Sequence, residues 1–227
     1  MSIFLISTAI YTSLLFFIQP APSSLKSKPI TYFENLKLVW ASMLSGFLVL
    51  LVFLLTTNFG FVSVDENLYN ILALSNDSEQ FLKWPLQSIT HLFVHGNLMH
   101  LTSNVAGLGL ASAYERRVGA KRFFTVLLIG SLASIPSVFF YSENITVCGI
   151  SGGIFGLAAA YFTDVDELST KEWLTAILLF LFFISLELIL KDSSTEALGM
   201  EVDHIGHLLG IFGAVIYCRL TSKRLTN

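Results

Sequence analysis

The apolar parts of this sequence contain a serine among glycines, and several histidines. A serine hydroxyl that a histidine activates can attack a carbonyl group. Residues 149–152 read GISG and place Ser151 within an uncharged stretch, 144–163, long enough to cross a bilayer. Glycine is costly inside a helix unless another group approaches the backbone closely. A serine hydroxyl becomes a competent nucleophile when an imidazole accepts its proton. Helix packing is the alternative interpretation, because serine and glycine are common where membrane helices touch.

The composition predicts that these residues lie in a membrane protein. Of the 227 residues, 54% are hydrophobic and only 13% are charged, and the mean hydropathy is +0.71, whereas a soluble domain carries about 25% charged residues. The predicted fold class is all-α, a polytopic bundle of membrane helices. The net charge of −3 is small and says nothing about partners, but the lack of a basic patch indicates no nucleic-acid partner. The two cysteines lack metal-binding spacing, and no cofactor or metal is expected.

The apolar runs predict a core of six spans, at residues 38–220, preceded by a separate hydrophobic segment at residues 1–25. That first segment is either an additional transmembrane helix or a cleaved signal peptide, although it lacks the basic start of a signal peptide. A long loop, partly helical near 66–74, is expected between the first two core spans. The six core spans are predicted at 38–61, 97–115, 123–141, 151–163, 173–190 and 202–220.

Lysine and arginine are distributed unequally between the loops. With the connections after residues 18, 114 and 163 and the C-terminus on one face, that face holds all of the 13 basic residues except Lys83 and Lys191. Because short cytoplasmic loops carry the excess of positive charge, this face is predicted to be cytoplasmic. Ser151 is then expected toward the external leaflet.

Two further polar residues are expected at the depth of Ser151. His100 and Asn104 are four residues apart, and therefore lie on one helical face. They are suited either to hydrogen bonds between helices or to donating toward a developing oxyanion.

The last span offers two histidines as the base. Its small residues and Asp203 form one close-contact face at about 100° per residue. His207 borders this face, whereas His204 points away from it, so we expect His207 to meet Ser151. Asp203 is expected to cap the helix rather than orient the imidazole.

Three motifs in this order resemble those of the rhomboid intramembrane serine proteases. They are HLFVHGNLMHLTSN at 91–104, GISG at 149–152 and GHLLG at 206–210. The resemblance covers residues 38–220 and implies a six-helix rhomboid-like core. It also implies an active site in a water-filled cavity open to the outside, with substrate helices entering sideways near the fifth core helix.

The resemblance implies a role for each motif residue. Ser151 would be the nucleophile and His207 the general base of a dyad. An oxyanion hole would be formed by His100, Asn104 and the backbone N–H of Ser151. The supporting residues would be Gly149, Gly152 and His95, of which His95 would line the outer approach.

Other positions match or depart from the family pattern. Glu115 and Arg117 look like its Glu-x-Arg, a structural feature. Trp84 is followed by Pro85 where the family commonly has arginine, which leaves the anchoring of the first outer loop open. Gly206 stands where many members have alanine.

The predicted function is that of an intramembrane serine endopeptidase, which cleaves peptide bonds in or next to the transmembrane helices of its substrates. Its expected location is a bacterial inner membrane, with the active site toward the outside and the C-terminus in the cytoplasm. The first alternative is an inactive rhomboid-like protein that binds transmembrane helices without cutting them. The second is a small transporter in which histidines relay protons. A metalloprotease is disfavoured because the sequence has no HExxH.

Overall fold

A computed structural model describes residues 31–164 and 202–221. This part of the chain is mainly helical, which confirms the all-α expectation. Its α-helices are α1 (Tyr32–Leu38), α2 (Trp40–Thr56), α3 (Glu66–Leu72), α4 (Trp84–Thr90), α5 (Leu98–Val118), α6 (Ala120–Ser134), α7 (Ser151–Thr163) and α8 (His204–Thr221). Short 3₁₀ helices span Ser78–Lys83 and Ile135–Phe140, and the two-residue strands are β1 (Leu74–Ser75) and β2 (Thr146–Val147). The hydrophobic segment 1–25 and the predicted span 173–190 lie outside the described residues.

The other five predicted spans correspond to α2, α5, α6, α7 and α8. Within the described ranges, α6 with its 3₁₀ extension (Ala120–Phe140) and α8 are long and apolar enough to cross a membrane, with mean hydropathies of 2.0 and 1.2. α2 is apolar but has only 17 residues, fewer than the predicted run 38–61. It is shorter because the backbone turns after Thr57, where positive φ angles are found at Asn58, Phe59 and Phe61. The six-span arrangement as a whole stays a prediction.

A side chain from a distant helix caps the start of α2. Glu115 of α5 is fully buried, and its carboxylate accepts hydrogen bonds from the backbone N–H groups of Ala41 and Ser42, both at 2.8 Å. The first N–H groups of a helix have no partner within the helix, and a carboxylate complements the positive end of its dipole. Glu115 therefore joins α5 to α2.

The uncharged stretch 144–163 is long enough to cross a bilayer, but only the predicted span 151–163 within it is helical. α7 begins only at Ser151 and has 13 residues, which is about 20 Å of helix. The residues before it form β2, which pairs antiparallel with β1, and a turn at Gly149 with φ of 101°. The stretch is interrupted because these pairing and turn residues cannot be helical, and Ser151 consequently stands at a helix start.

The loop between α2 and α5 is anchored next to this turn. The indole N–H of Trp84 donates to the backbone oxygen of Ser75 at 2.8 Å, and its ring contacts Phe139 at a centroid distance of 5.1 Å. The side chain of Asn76 bonds to the backbone of the segment before β2. Trp84 thus supplies an anchor in spite of Pro85.

α7 packs closely against α6 and α8 through small residues. Gly152, Gly156 and Ala160, which follow one another at four-residue spacing along α7, are buried. A Cβ atom added at Gly156 would lie 3.0 Å from the Cβ of Ala214 and 3.3 Å from the Cα of Gly130. This close approach of backbones brings the side chains at the start of α7 within reach of α8.

The opposite end of α7 carries a polar group that we call the Asp164 cluster, made of Tyr114, Arg122, Asp164 and Thr221. Arg122 donates to the Asp164 carboxylate at 2.8 and 3.0 Å, Tyr114 donates to it at 2.6 Å, and Arg122 donates to Thr221 Oγ1 at 2.6 Å. Burial alone would raise the pKa of Asp164, but the hydrogen bonds from Arg122 and Tyr114 outweigh it and hold that pKa below its ordinary value. The cluster joins α5, α6, α7 and α8.

Candidate active site

The start of α7 brings the predicted nucleophile and base into contact. Ser151 is the first residue of α7, directly after the turn at Gly149, and His207 lies in the first turn of α8. The distance between Ser151 Oγ and His207 Nε2 is 2.8 Å, that of a hydrogen bond. The preference for His207 over His204 matches this geometry, since it is His207 that meets the hydroxyl.

The ring of Phe155 fixes the plane of the imidazole. It stacks on His207 with a centroid distance of 4.3 Å and an interplanar angle of 22°. Phe155 is one turn after Ser151 on the same face of α7, so one helix presents both the hydroxyl and the stacking ring. His207 itself is buried, with 8% of its surface exposed. Stacking and burial together restrict the imidazole to few orientations.

His100 and Asn104 flank Gly149, two residues before Ser151. A Cβ atom at Gly149 would lie 2.6 Å from His100 Nε2 and 3.8 Å from Asn104 Nδ2, and the positive φ disfavours any side chain there. The amide nitrogen of Asn104 donates to the backbone oxygen of His100 at 2.9 Å. Its side-chain oxygen is buried and has no hydrogen-bond partner within the described chain. The absence of a side chain at Gly149 leaves both polar groups facing the Ser151 turn.

Gly152 keeps the neighbouring elements close to Ser151. A Cβ atom there would be 2.6 Å from the side chain of Ser134, and the backbone of Gly152 lies against Gly210 of α8. A larger residue at 152 would separate α7 from α6 and so move the hydroxyl.

His95 does not line the approach to Ser151, and that expectation is wrong. It is fully buried, its Nδ1 contacts the backbone oxygen of Phe93 at 3.1 Å, and its ring packs on His100 at 4.9 Å. The segment that follows His95 is held by backbone hydrogen bonds from Val64 to Gly96 and from Leu98 to Val62 before α5 continues. Burial lowers the pKa of His95 to about 3, so the ring is neutral.

A small cavity opens beside Ser151 and is lined on one side by His91. Its volume is about 20 Å³, which is room for a single water molecule. His91 is anchored because its Nδ1 bonds to the backbone oxygen of Gln87 at 2.6 Å and its own carbonyl accepts from Gly149 N at 2.7 Å. Burial lowers the pKa of His91. The cavity is bounded further by Ser134, Val147, Cys148, Asp203 and Gly206.

The thiol of Cys148 is a second candidate nucleophile at the cavity, besides the hydroxyl of Ser151. Its sulfur lies 4.0 Å from His100 Nδ1, but burial raises the pKa of the thiol to about 11. A thiol reacts as the thiolate, which a raised pKa disfavours, whereas Ser151 has a base within hydrogen-bonding distance. Both cysteines are free thiols.

Asp203 lies one turn before His207 and caps α8, as expected, by accepting the N–H of Gly206 at 2.8 Å. It also accepts hydrogen bonds from Ser137 at 2.5 Å and Tyr141 at 3.0 Å. The sequence does not reveal these cross-helix contacts.

Sequence reasoning missed two residues that shape the site. Phe155 has a signal in hindsight, namely its spacing of four from Ser151 on one helix. His91 belongs to the quoted motif at 91–104, yet only the fold shows that it borders the cavity.

A comparison with protein-family models matches the Rhomboid domain to residues 83–224, which is more than half of the chain. The match includes the Ser151 and His207 motifs and all of α5 to α8. A search of curated proteins finds no match.

Proposed function

The chain belongs to the rhomboid family, and on that premise we propose that it is an intramembrane serine endopeptidase with Ser151 as nucleophile and His207 as general base. Members of this family are integral membrane proteins, generally serine proteases that act on membrane-protein substrates within the bilayer. The observation that carries the proposal is the 2.8 Å hydrogen bond between Ser151 Oγ and His207 Nε2.

Acylation follows from this hydrogen bond. For Nε2 to accept the serine proton, the neutral imidazole must carry its hydrogen on Nδ1. As Ser151 Oγ attacks the scissile carbonyl carbon, its proton moves to His207 Nε2. The imidazolium then returns that proton to the leaving amine, so that the peptide C–N bond breaks and an ester on Ser151 remains.

The negative charge that develops on the carbonyl oxygen needs donors. Ser151 is the first residue of α7, so its backbone N–H has no partner in the helix and lies at the positive end of the dipole. His100 and Asn104 face the same turn across Gly149 and are proposed as the side-chain donors. Donors aimed at a developing oxyanion are among the largest contributions to acyl transfer.

Deacylation requires water beside the ester. The cavity of about 20 Å³ adjoins Ser151 and His207 and is large enough for one water molecule. His207 would remove a proton from this water, whose oxygen attacks the ester carbon. The proton then returns to Ser151 Oγ as the acid leaves.

The proposed substrates are transmembrane proteins in the same bilayer. A helical peptide bond must leave its helix before its carbonyl can reach a buried serine, so cleavage is expected at helix-weakening, small-residue sites. By the distribution of basic loop residues, we propose that the site faces the external side of a bacterial inner membrane and that the C-terminus is cytoplasmic.

The test is covalent labelling of the purified full chain with a fluorophosphonate probe, which reacts with activated serines. We expect labelling of the wild type and none of Ser151→Ala or His207→Ala. Equal labelling of Ser151→Ala would overturn the assignment of the nucleophile. A wild-type protein that is folded but never labelled would favour the inactive, helix-binding alternative.

A further inference from the structure

We infer that Asp203 is a positioning residue that holds the first turn of α8, and with it the imidazole of His207, in register with Ser151. This inference rests on the proposed function. It concerns a carboxylate at the cavity wall that has no part in the proposed proton transfers.

Asp203 links α8 to the extension of α6. Ser137 Oγ donates to one carboxylate oxygen at 2.5 Å, and the hydroxyl of Tyr141 donates to the other at 3.0 Å. Ser137 lies in the 3₁₀ helix after α6, and Tyr141 is the residue that follows that helix. Hydrogen bonds to an ionised acceptor are roughly twice as strong as those between neutral groups. The carboxylate therefore holds the start of α8 to the 3₁₀ helix after α6 by directed hydrogen bonds, which the packing of glycines does not provide.

The same residue starts the turn on which the base stands. Its side chain accepts the N–H of Gly206 at 2.8 Å, and its backbone oxygen accepts the N–H of His207 at 3.0 Å. Asp is among the preferred residues at a helix N-cap. A shift of the Asp203 carboxylate would therefore also shift the backbone of His207, which lies one helical turn later.

Near His207, α8 contacts α7 mainly through glycine backbone. Gly206 and Gly210 are the buried residues beside His207, and Gly210 packs directly on the backbone of Gly152. Glycines allow close approach, but they have no side chains that interlock and resist sliding. Among the described residues, the directed contacts that hold this turn include the stacking of Phe155 on His207, the hydrogen bond to Ser151 and the bonds of Asp203.

The required precision is high, because a misplacement of about 1 Å in a catalytic geometry can cost about 10²-fold in rate. The test variant is Asp203→Ser. Serine is also a strong N-cap, but its single oxygen sits on a shorter side chain, so it keeps the cap and loses the bridge. Asp203→Asn retains one acceptor oxygen, and Tyr141→Phe removes one donor without changing the cap. Tyr217→Phe, at the Asp164 end of α8, is the matched control.

The experiment measures the fluorophosphonate labelling rate of the purified full chain against probe concentration, together with the melting temperature. For Asp203→Ser we expect the maximal labelling rate to fall about 10- to 10²-fold, while the probe concentration at half-maximal rate changes little. Asp203→Asn and Tyr141→Phe should lose only severalfold, and Tyr217→Phe should label like the wild type.

The possible outcomes separate the two proposals. Unlabelled wild type overturns the proposed function, and the role of Asp203 in it falls as well. Labelled wild type with an unchanged maximal rate in Asp203→Ser overturns only the role of Asp203. If Asp203→Ser lowers the maximal labelling rate but Tyr141→Phe does not lower it at all, positioning through this bridge is contradicted. The same holds if Asp203→Ser changes only the probe concentration at half-maximal rate.

Discussion

The two ends of α7 are both surrounded by polar side chains of the helices α5 to α8, but they differ in how those side chains are paired. In the Asp164 cluster a carboxylate meets a guanidinium in two hydrogen bonds, and a phenol completes its shell. Around Ser151 the groups are a hydroxyl, imidazoles and an amide, and the buried oxygen of Asn104 lacks a partner within the described residues.

This difference separates a structural cluster from a reactive one. In a paired cluster the hydrogen-bonding groups are already occupied, and removing one partner leaves the other charge buried without compensation. At the Ser151 end the Asp203 carboxylate is paired as well, but the hydroxyl, imidazoles and amide beside the cavity retain donors and acceptors for a substrate carbonyl and a water molecule. Substitutions at the Ser151 end should therefore reduce activity, whereas those at the Asp164 end should reduce stability.

The largest effect is expected for the two residues that exchange the proton. Ser151→Ala or His207→Ala should lower the cleavage of a model transmembrane substrate by more than about 10³-fold, because neither residue of such a pair works alone. The melting temperature should stay close to that of the wild type. Cleavage at the wild-type rate in either variant would contradict the proposal that the Ser151 end of α7 is the reactive one.

Asn104→Ala tests an oxyanion donor at the same end. We expect a loss of about 10²–10³-fold in cleavage rate, as for other single oxyanion donors. The matched control is Ser103→Ala on the same helix, which removes an exposed hydroxyl whose hydrogen bond within the described residues goes to the backbone oxygen of Met99, and which should leave the rate unchanged. Equal rates for the two variants would exclude Asn104 from the oxyanion hole.

Arg122→Met tests the other end. Removing the guanidinium leaves the Asp164 carboxylate, of which 9% is exposed, without its main partner. We expect the free energy of unfolding to fall by about 1–3 kcal/mol, measured by denaturant titration in detergent. The labelling rate per folded molecule should change less than about twofold. A loss of rate as large as that of Asn104→Ala would mean that this end also belongs to the catalytic machinery.

The smallest effect is expected in the pH dependence of stability. Because the pKa of Asp164 is lowered in the folded protein, its contribution is complete above the unfolded value of about 3.9 and is lost as the pH falls through the folded value. Wild-type melting temperature should therefore drop more than that of Asp164→Asn as the pH is lowered below about 4. Parallel curves for the two proteins would show that Asp164 makes no such contribution.

Several elements of the site follow from local pattern. The uncharged stretch that contains GISG predicts a helix at Ser151, and the spacing of four residues predicts that His100 and Asn104 share a helical face. The small-residue face of the last span favours His207 over His204 as the base. Each of these inferences uses residues that are near one another in the chain, so helical periodicity suffices.

Other features depend on residues distant in sequence. His95 is buried against His100, and the sequence does not distinguish this from exposure at the cavity. The pairing of β2 with β1, some 70 residues earlier in the chain, is likewise not visible in the sequence. A hydropathy pattern contains no information on which strands pair.

By itself the sequence determined the class of the protein, the all-α architecture and the residue types that the proposed chemistry needs, because composition and helical periodicity are local properties. Only the tertiary structure decided that Glu115 caps α2, that Phe155 stacks on the base and that Asp203 bridges α8 to Ser137 and Tyr141. These contacts join helices whose relative positions depend on the packing of the whole bundle.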